Sequence, residues 1–173
     1  MESVITIDTL KEHEKDIVRQ LLVESYSQFK SSYMNVQDWL DYAKDLKESV
    51  DNPAVDKILV ARDGETLLGT LQLFTNSNAA YGRPELEIHS PIIRMLAVSP
   101  NARGKGIAQA LLKESIHYAR EKNSKHVYLH TSDKMTSAIR LYEWLGFKRD
   151  TSKEFKKLNF IVKCYRYDLL GDN

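Results

Sequence analysis

Ser3 to Ile7 reads as a short first strand, with Ile5 and Ile7 on either side of the polar Thr6 at the two-residue period of a half-buried strand. From Thr9 to Gln28 the apolar residues Leu10, Ile17, Leu21 and Leu22 return at helical spacing behind a capping residue at Asp8 or Thr9, which predicts a first helix. Asn35 caps a second, which runs to Ser49 with Val36, Trp39, Leu40, Ala43 and Leu46 on one face and stops before Asn52 and Pro53. Lys57 to Arg62 and Thr66 to Phe74 read as strands on either side of Asp63-Gly64, a hairpin signal because such a turn needs residues that tolerate positive φ. Thr75 to Ser90, TNSNAAYGRPELEIHS, is rich in turn formers and long for a link between neighbouring strands, the length at which a connection tends to carry function.

Strand character returns from Pro91 to Val98 and is followed by a loop, Ser99 to Arg103. A helix is expected from Gly104 to Lys122, with Ala108, Leu111, Leu112, Ser115 and Ala119 facing inward. Lys125 to Thr131 is a strand, Met135 to Leu145 a helix closed by Gly146, and Phe147 to Arg149 and Asn159 to Leu169 are the last two strands. The order β α α β β β α β α β β is that of an α+β chain. Its strand, crossover helix and strand over Pro91 to Thr131 imply one parallel pair.

Composition narrows the class. A chain of 173 residues is expected to form one domain, 1–173, large enough to bury a core. Apolar residues at 42% and charged residues at 28% are ordinary for a globular protein and exclude a disordered or collagen-like chain. Lys and Arg number 25 against 24 Asp and Glu, and a net charge of +1 offers no global field for a nucleic-acid backbone or an anionic membrane, leaving only a local patch. No apolar run approaches the roughly 20 residues of a membrane helix. The N-terminus lacks the basic and apolar regions of a signal peptide and Cys164 has no partner for a disulfide, so a reducing cytoplasm is the expected compartment.

The segment VSPNARGKGIAQALL, residues 98 to 112, runs from a strand through a loop into a glycine-rich helix start. The first amides of a helix have no internal acceptors and lie at the positive end of its dipole, so Gly104, Lys105, Gly106, Ile107 and Ala108 can present N–H groups to a phosphate. Glycines at 104 and 106 remove β-carbons that would hold a pyrophosphate away, and Arg103 and Lys105 add charge. A helix entered through a flexible glycine turn would use the same residues. The string GxxxxGK[ST] of a P-loop is absent. A dinucleotide GxGxxG would need Gly or Ala at Gln109 and its first Gly directly after the strand, which weighs against a nucleotide-binding oxidoreductase.

These residues resemble the GNAT superfamily of acetyl-CoA-dependent N-acetyltransferases. The family's cofactor motif is Arg or Gln, two residues, Gly, one residue, then Gly or Ala; Arg103, Gly106 and Ala108 match it behind the strand MLAV. A second signature, LYExxGF, is matched by Leu141, Tyr142, Glu143, Gly146 and Phe147. The resemblance implies a mixed, mostly antiparallel sheet flanked by helices, with splayed fourth and fifth strands and acetyl-CoA as acyl donor to a primary amine. The pantetheine arm would lie along the backbone of Leu96, Ala97 and Val98, and the Val98 N–H would stabilise a developing oxyanion. Tyr142 resembles the family's proton donor to the leaving thiolate, although its helical spacing with Ala138 and Leu145 suits a core aromatic equally well. Many members carry a glutamate six residues before the valine matched by Val98; this chain has Ile92 there, which leaves Glu87 or His89 as candidates for the base. The loss of that glutamate also keeps a non-catalytic acyl-CoA-binding or regulatory module in view.

Other groups carry less. Met135 stands where many relatives have a cofactor-contacting asparagine, a contact that Thr136 or Ser137 could replace, and Trp144 reads as packing. His126 and His130 on one strand would be about 13 Å apart, too far to share a metal ion, and no metal is expected. Cys164 reads as a buried hydrophobe. Lys148, Arg149, Lys153, Lys156 and Lys157 are interrupted by Asp150 and Glu154 and read as a solvated loop rather than an anion site. Glu24, Tyr26, Tyr33 and Asp38 fall near the junction of the first two helices, which in the family walls the acceptor cleft. Family members also dimerise through terminal strands, so a homodimer is compatible with the resemblance.

Overall fold

The hairpin expected about Asp63-Gly64 forms between β2 (Lys57–Asp63) and β3 (Thr66–Phe74), with Gly64 at φ +62°. The structure, a computed structural model, describes residues 4–33, 35–132, 135–157 and 160–169; Ser3 and Asn159, the expected first residues of two strands, lie outside them. The remaining elements are β1 (Ile5–Thr9), α1 (Lys15–Tyr26), α2 (Val36–Glu48), α3 (Ser77–Tyr81), β4 (Ile92–Val98), α4 (Ile107–Glu121), β5 (His126–Thr131), α5 (Thr136–Leu145), β6 (Lys148–Arg149), β7 (Phe155–Lys157) and β8 (Phe160–Asp168). The strands form a mixed, mostly antiparallel sheet in the order β1-β2-β3-β4-β5-β8-β6, with β7 on β8. The chain divides into two units, Met1–Gln72 with Met95–Leu111 and Leu73–Arg94 with Leu112–Asn173.

In the first unit β1 runs antiparallel to β2 from Ile5↔Asp63 to Thr9↔Leu59. Val18, Leu21 and Leu22 of α1, Leu46 of α2, Val60 of β2, Leu67 of β3 and Ala97 of β4 share one buried cluster. Asn35 caps α2 as expected, its Oδ1 accepting the Asp38 N–H at 2.9 Å. Two faces differ from the sequence reading. Val18 rather than Ile17 turns inward on α1, and Val36 and Leu40, expected on the inner face of α2, are 64% and 52% exposed. Val36 lies in the first turn and Leu40 at the margin of the stripe, where helical spacing permits burial but only a neighbour can supply it. The first helix is also shorter than Thr9 to Gln28, because residues Glu12–Glu14 and Ser27–Ser32 wind as tighter 3-10 turns at its two ends.

In the second unit β8 is the hub. It runs antiparallel to β5 from His126↔Asp168 to Thr131↔Lys163, to β6 through Lys148↔Arg166 and to β7 through Phe155↔Val162. The three-residue β7 was not legible in the sequence, because FKK is too short to show a period. The turn-rich segment after β3 contains α3, capped by Asn76, whose Oδ1 accepts the Ala79 N–H at 2.8 Å, and closed by Gly82 at φ +64°. The residues that look like turn formers there are the caps of a helix only five residues long. A parallel ladder joins β4 to β5 at Ile92↔Tyr128 and Ile93↔Leu129, and among the described residues it ends there, as expected of splayed strands.

Candidate active site

The end of that ladder has a local cause. Met95, in the middle of β4, takes φ +56°, a left-handed conformation that non-glycine residues seldom adopt within a strand. The Pro91 carbonyl accepts from the Tyr128 N–H at 2.9 Å on the β5 edge, whereas the Ser99 N–H donates to Leu68 O at 2.8 Å on the β3 edge. In an unbroken strand both odd-numbered residues would face one edge; the bulge at Met95 inverts the alternation. Leu96 and Val98 therefore turn their backbone groups away from β3. The Leu96 carbonyl accepts from the Tyr26 hydroxyl at 2.9 Å, which ties α1 to this part of β4.

Beyond Val98 the chain passes through the short turn Pro100–Ala102, where Ala102 is buried, and reaches Gly104 at φ +80° and Gly106 at φ +75°. The helix was expected from Gly104; it begins at Ile107, since two left-handed residues cannot continue a right-handed helix. The Gly106 carbonyl accepts the Ala110 N–H at 3.0 Å, so the amides of Ile107, Ala108 and Gln109 come before the first N–H that bonds back along the helix. Ile107 is buried beneath them, while Arg103, Gly104, Lys105 and Gly106 are exposed. A β-carbon added to Gly104 or Gly106 would meet nothing within 4 Å, so the space over the loop is open to a phosphate-sized group. Leu96, Ala97, Val98, Arg103, Gly104, Lys105, Gly106, Ile107 and Ala108 thus all fall in the first unit, along one strand end and the helix start that follows it.

The same unit holds the ring cluster of Tyr26, Phe29, Tyr33, Trp39 and Tyr42, with centroids 5.6–6.4 Å apart. Tyr26 and Tyr33 are in it, but the carboxylates expected with them are not: Asp38 is exposed, and Glu24, also exposed, accepts from Gln20 at 3.0 Å. An open cavity of about 550 Å³ beside the cluster is lined by Gln28, Lys30, Tyr33 and Trp39.

In the second unit Tyr142 is buried against Phe147 at 6.1 Å and Tyr165 at 6.3 Å. Burial pushes its phenol above the ordinary range and the nearby Tyr81 pushes it further, so the hydroxyl keeps its proton at neutral pH. The LYExxGF signature also ends α5: Gly146 takes φ +108°, its N–H donates to Glu143 O at 3.1 Å, and the Phe147 N–H donates to Tyr142 O at 2.9 Å. Trp144, expected to pack, is 70% exposed, because it lies on the face of α5 opposite Tyr142.

Glu87 and His89 are both exposed on the segment before β4; Glu87 is left-handed at φ +52° and its carbonyl accepts from Lys153 Nζ at 3.4 Å. Ile92 is fully buried. Thr136 and Ser137 are exposed, and the Thr131 hydroxyl donates to Met135 Sδ at 3.1 Å. Cys164 is a buried free cysteine, with its thiol pushed well up by burial. Two of the five basic residues are used internally, and Lys148, Lys156 and Lys157 are exposed: Arg149 forms a two-pronged pair with Glu154 at 2.8 and 2.9 Å, and Lys153 Nζ donates to Leu86 O at 2.8 Å.

Sequence reasoning missed one polar pair. The Tyr81 hydroxyl lies 3.0 Å from His130 Nδ1, and His130 Nε2 lies 2.9 Å from the Lys153 carbonyl. The partners are 49 residues apart in the chain, and no local pattern links them. Among the described residues no three His, Cys, Asp or Glu side chains converge as metal ligands would, and no helix is long and apolar enough to cross a membrane.

The pattern of the Acetyltransferase (GNAT) family matches residues 16–147, from α1 to the buried Phe147. The chain belongs to the GNAT acetyltransferase family. Among curated relatives, it is 34% identical over 90 residues to N-acetyltransferase 8B of Rattus norvegicus, covering 52% of this chain and 38% of the relative. It is 30% identical over 135 residues to the probable N-acetyltransferase family 8 member 5 of Mus musculus, covering 78% and 49%. The chain thus spans about half or less of the length of these relatives. The PaiA N-acetyltransferase of Thermoplasma acidophilum, solved in complex with coenzyme A, superposes with a TM-score of 0.72 at 15% identity over 95% of this chain and 99% of that one. At that identity the likeness is one of GNAT fold.

Proposed function

We propose that this GNAT chain transfers the acetyl group of acetyl-CoA to a primary amine by direct attack. The observation that carries the reading is the loop Arg103–Gly106, in which two left-handed glycines open the start of α4 directly after the backbone of Val98 turns away from β3. A helix N-terminus flanked by Arg103 and Lys105 suits the pyrophosphate of a coenzyme, and the strand edge at Leu96, Ala97 and Val98 suits an extended amide-bearing arm. Acetyl-CoA, when bound, supplies an activated acetyl thioester. The Val98 N–H donates to the carbonyl oxygen as negative charge grows on it, and Tyr142 gives its proton to the departing thiolate. The family's preference for acetyl donors, and the PaiA structure's coenzyme A, support the same assignment.

A second reading is a non-catalytic acyl-CoA-binding module, favoured by the fully buried, apolar Ile92 where many relatives carry a glutamate. The readings separate on two measurements made together. In the catalytic reading, calorimetry gives acetyl-CoA binding, and thiol release from acetyl-CoA accelerates with an amine from a panel of spermidine, a lysine-containing peptide and single amino acids. Binding without amine-dependent thiol release selects the module, and no binding overturns both.

A further inference from the structure

The acetyl-transfer reading leaves open which group receives the proton of the attacking nitrogen. We propose that Tyr81 and His130 together are that base: the Tyr81 hydroxyl accepts the amine proton while passing its own to His130 Nδ1. The proposal rests on the acetyl-transfer reading.

Hydrogen bonding fixes the direction of the pair. The Lys153 carbonyl can only accept, so His130 Nε2 carries the ring proton, and Nδ1 offers its lone pair to the Tyr81 hydroxyl. The oxygen of Tyr81 then keeps lone pairs with which to accept. Packing holds the pair from several elements. The two rings meet edge to face at 4.9 Å, and Phe155 of β7 lies 5.7 Å from the one and 5.4 Å from the other. Arg94 of β4 stands 4.9 Å over the Tyr81 ring and donates to Ala80 O at 2.7 Å, fixing the end of α3. Tyr81 and His130 are both half-buried residues.

The charges around the pair also fit a base. Burial, then Arg94, hold His130 below its ordinary 6.5, while the Lys153 carbonyl, Glu154 and Asp150 favour the imidazolium. The ring is thus neutral at pH 7 yet flanked by groups that stabilise its charged form. Burial lifts the Tyr81 phenol, against the pull of Arg94 and with a push from Cys164, so Tyr81 cannot act as a phenolate and needs His130 to receive its proton. Tyr81 is also the neighbour that raises Tyr142, so the proposed acid and base lie together in one unit.

The step balances. The C–N bond forms, and the nitrogen's proton, made acidic by that bond, moves to Tyr81 Oη as the Tyr81 proton moves to His130 Nδ1. The C–S bond breaks, and the thiolate takes the Tyr142 proton. The His130 imidazolium then loses a proton to solvent and the Tyr142 phenolate regains one.

The test uses His130→Gln, whose amide can both accept from Tyr81 and donate to Lys153 O but cannot take a proton, together with Tyr81→Phe and the double variant. Each single change is expected to lower kcat by about 100-fold or more, with the double no worse than the singles and the acetyl-CoA KM little changed. The acid limb of the wild-type kcat profile, lying below pH 6.5, is expected to vanish in both. In the ligand-free wild type, imidazole nitrogen NMR is expected to find the proton on Nε2, with the Nδ1 shift changing in Tyr81→Phe. Wild-type kcat and an intact acid limb in His130→Gln overturn the base alone, as does a proton on Nδ1. A wild type that transfers acetyl to no amine overturns the transfer reading and the base with it. If His130→Gln does not fold, Tyr81→Phe and the nitrogen shifts decide the question.

Discussion

A β-carbon placed on Gly69 would stand 2.7 Å from Ile107 Cγ2 and 3.1 Å from the Ala97 carbonyl oxygen. The first residue of α4 thus rests directly on the backbone of β3, and a glycine there sets how closely the helix start approaches that strand. Gly69→Ala is expected to destabilise the protein by about 1–3 kcal/mol through overpacking and to weaken acetyl-CoA binding by shifting the first turn of α4. Denaturant melts and calorimetry check the two effects; unaltered affinity would separate the loop from this contact.

Gly106 presents the opposite case, since its φ of +75° strains any larger residue although the space around it is open. Gly106→Ala is expected to cost about 1–2 kcal/mol or to rearrange the loop, and in either event to lower acetyl-CoA affinity. Gly106→Asn, which tolerates the left-handed region better, is expected to retain more affinity than Ala. The order of the two dissociation constants is the readout.

Tyr142→Phe keeps the ring against Phe147 and Tyr165 and removes only the hydroxyl. The expected result is a kcat lowered by roughly 10-fold or more, an acetyl-CoA KM little changed and a nearly unchanged melting temperature. A kcat equal to wild type would leave Tyr142 as a core aromatic.

Glu154, just before β7, ties β6 to β8: it accepts from Arg149 at 2.8 and 2.9 Å and from the Cys164 N–H at 3.1 Å. The bonds from Arg149 hold its carboxyl below the ordinary 4.5. A depressed carboxylate contributes stability that is present above its unfolded value and lost as pH falls through the folded one. Stability is therefore expected to decline as pH drops below about 4.5, and Glu154→Gln to flatten that decline while lowering stability at pH 7. Urea midpoints measured from pH 7 to pH 3 test both.

Much of the fold was legible because its signals are local. Asn35 capped the second helix as its side chain permits, Asp63-Gly64 marked a hairpin, and of the expected inward stripe Leu111, Leu112, Ser115 and Ala119 are buried and Ala108 half-buried. Burial failed where periodicity alone was used: Val36, Leu40 and Trp144 have helical spacing but no neighbour to cover them. The helix expected from Gly104 starts at Ile107, three residues later, because spacing does not reveal that Gly104 and Gly106 take positive φ.

The chain by itself determined the order of its elements, its caps and turns, and the residues of the glycine loop and of LYExxGF, all of which depend on neighbours a few positions away. Tertiary structure alone decided that Met95 inverts the alternation of β4, that Tyr26 bonds the Leu96 carbonyl 70 residues on, and that Tyr81 meets His130 across 49. Those relationships depend on which strand edges and helix ends come together, and a side chain carries no mark in the sequence of the distant group it will face.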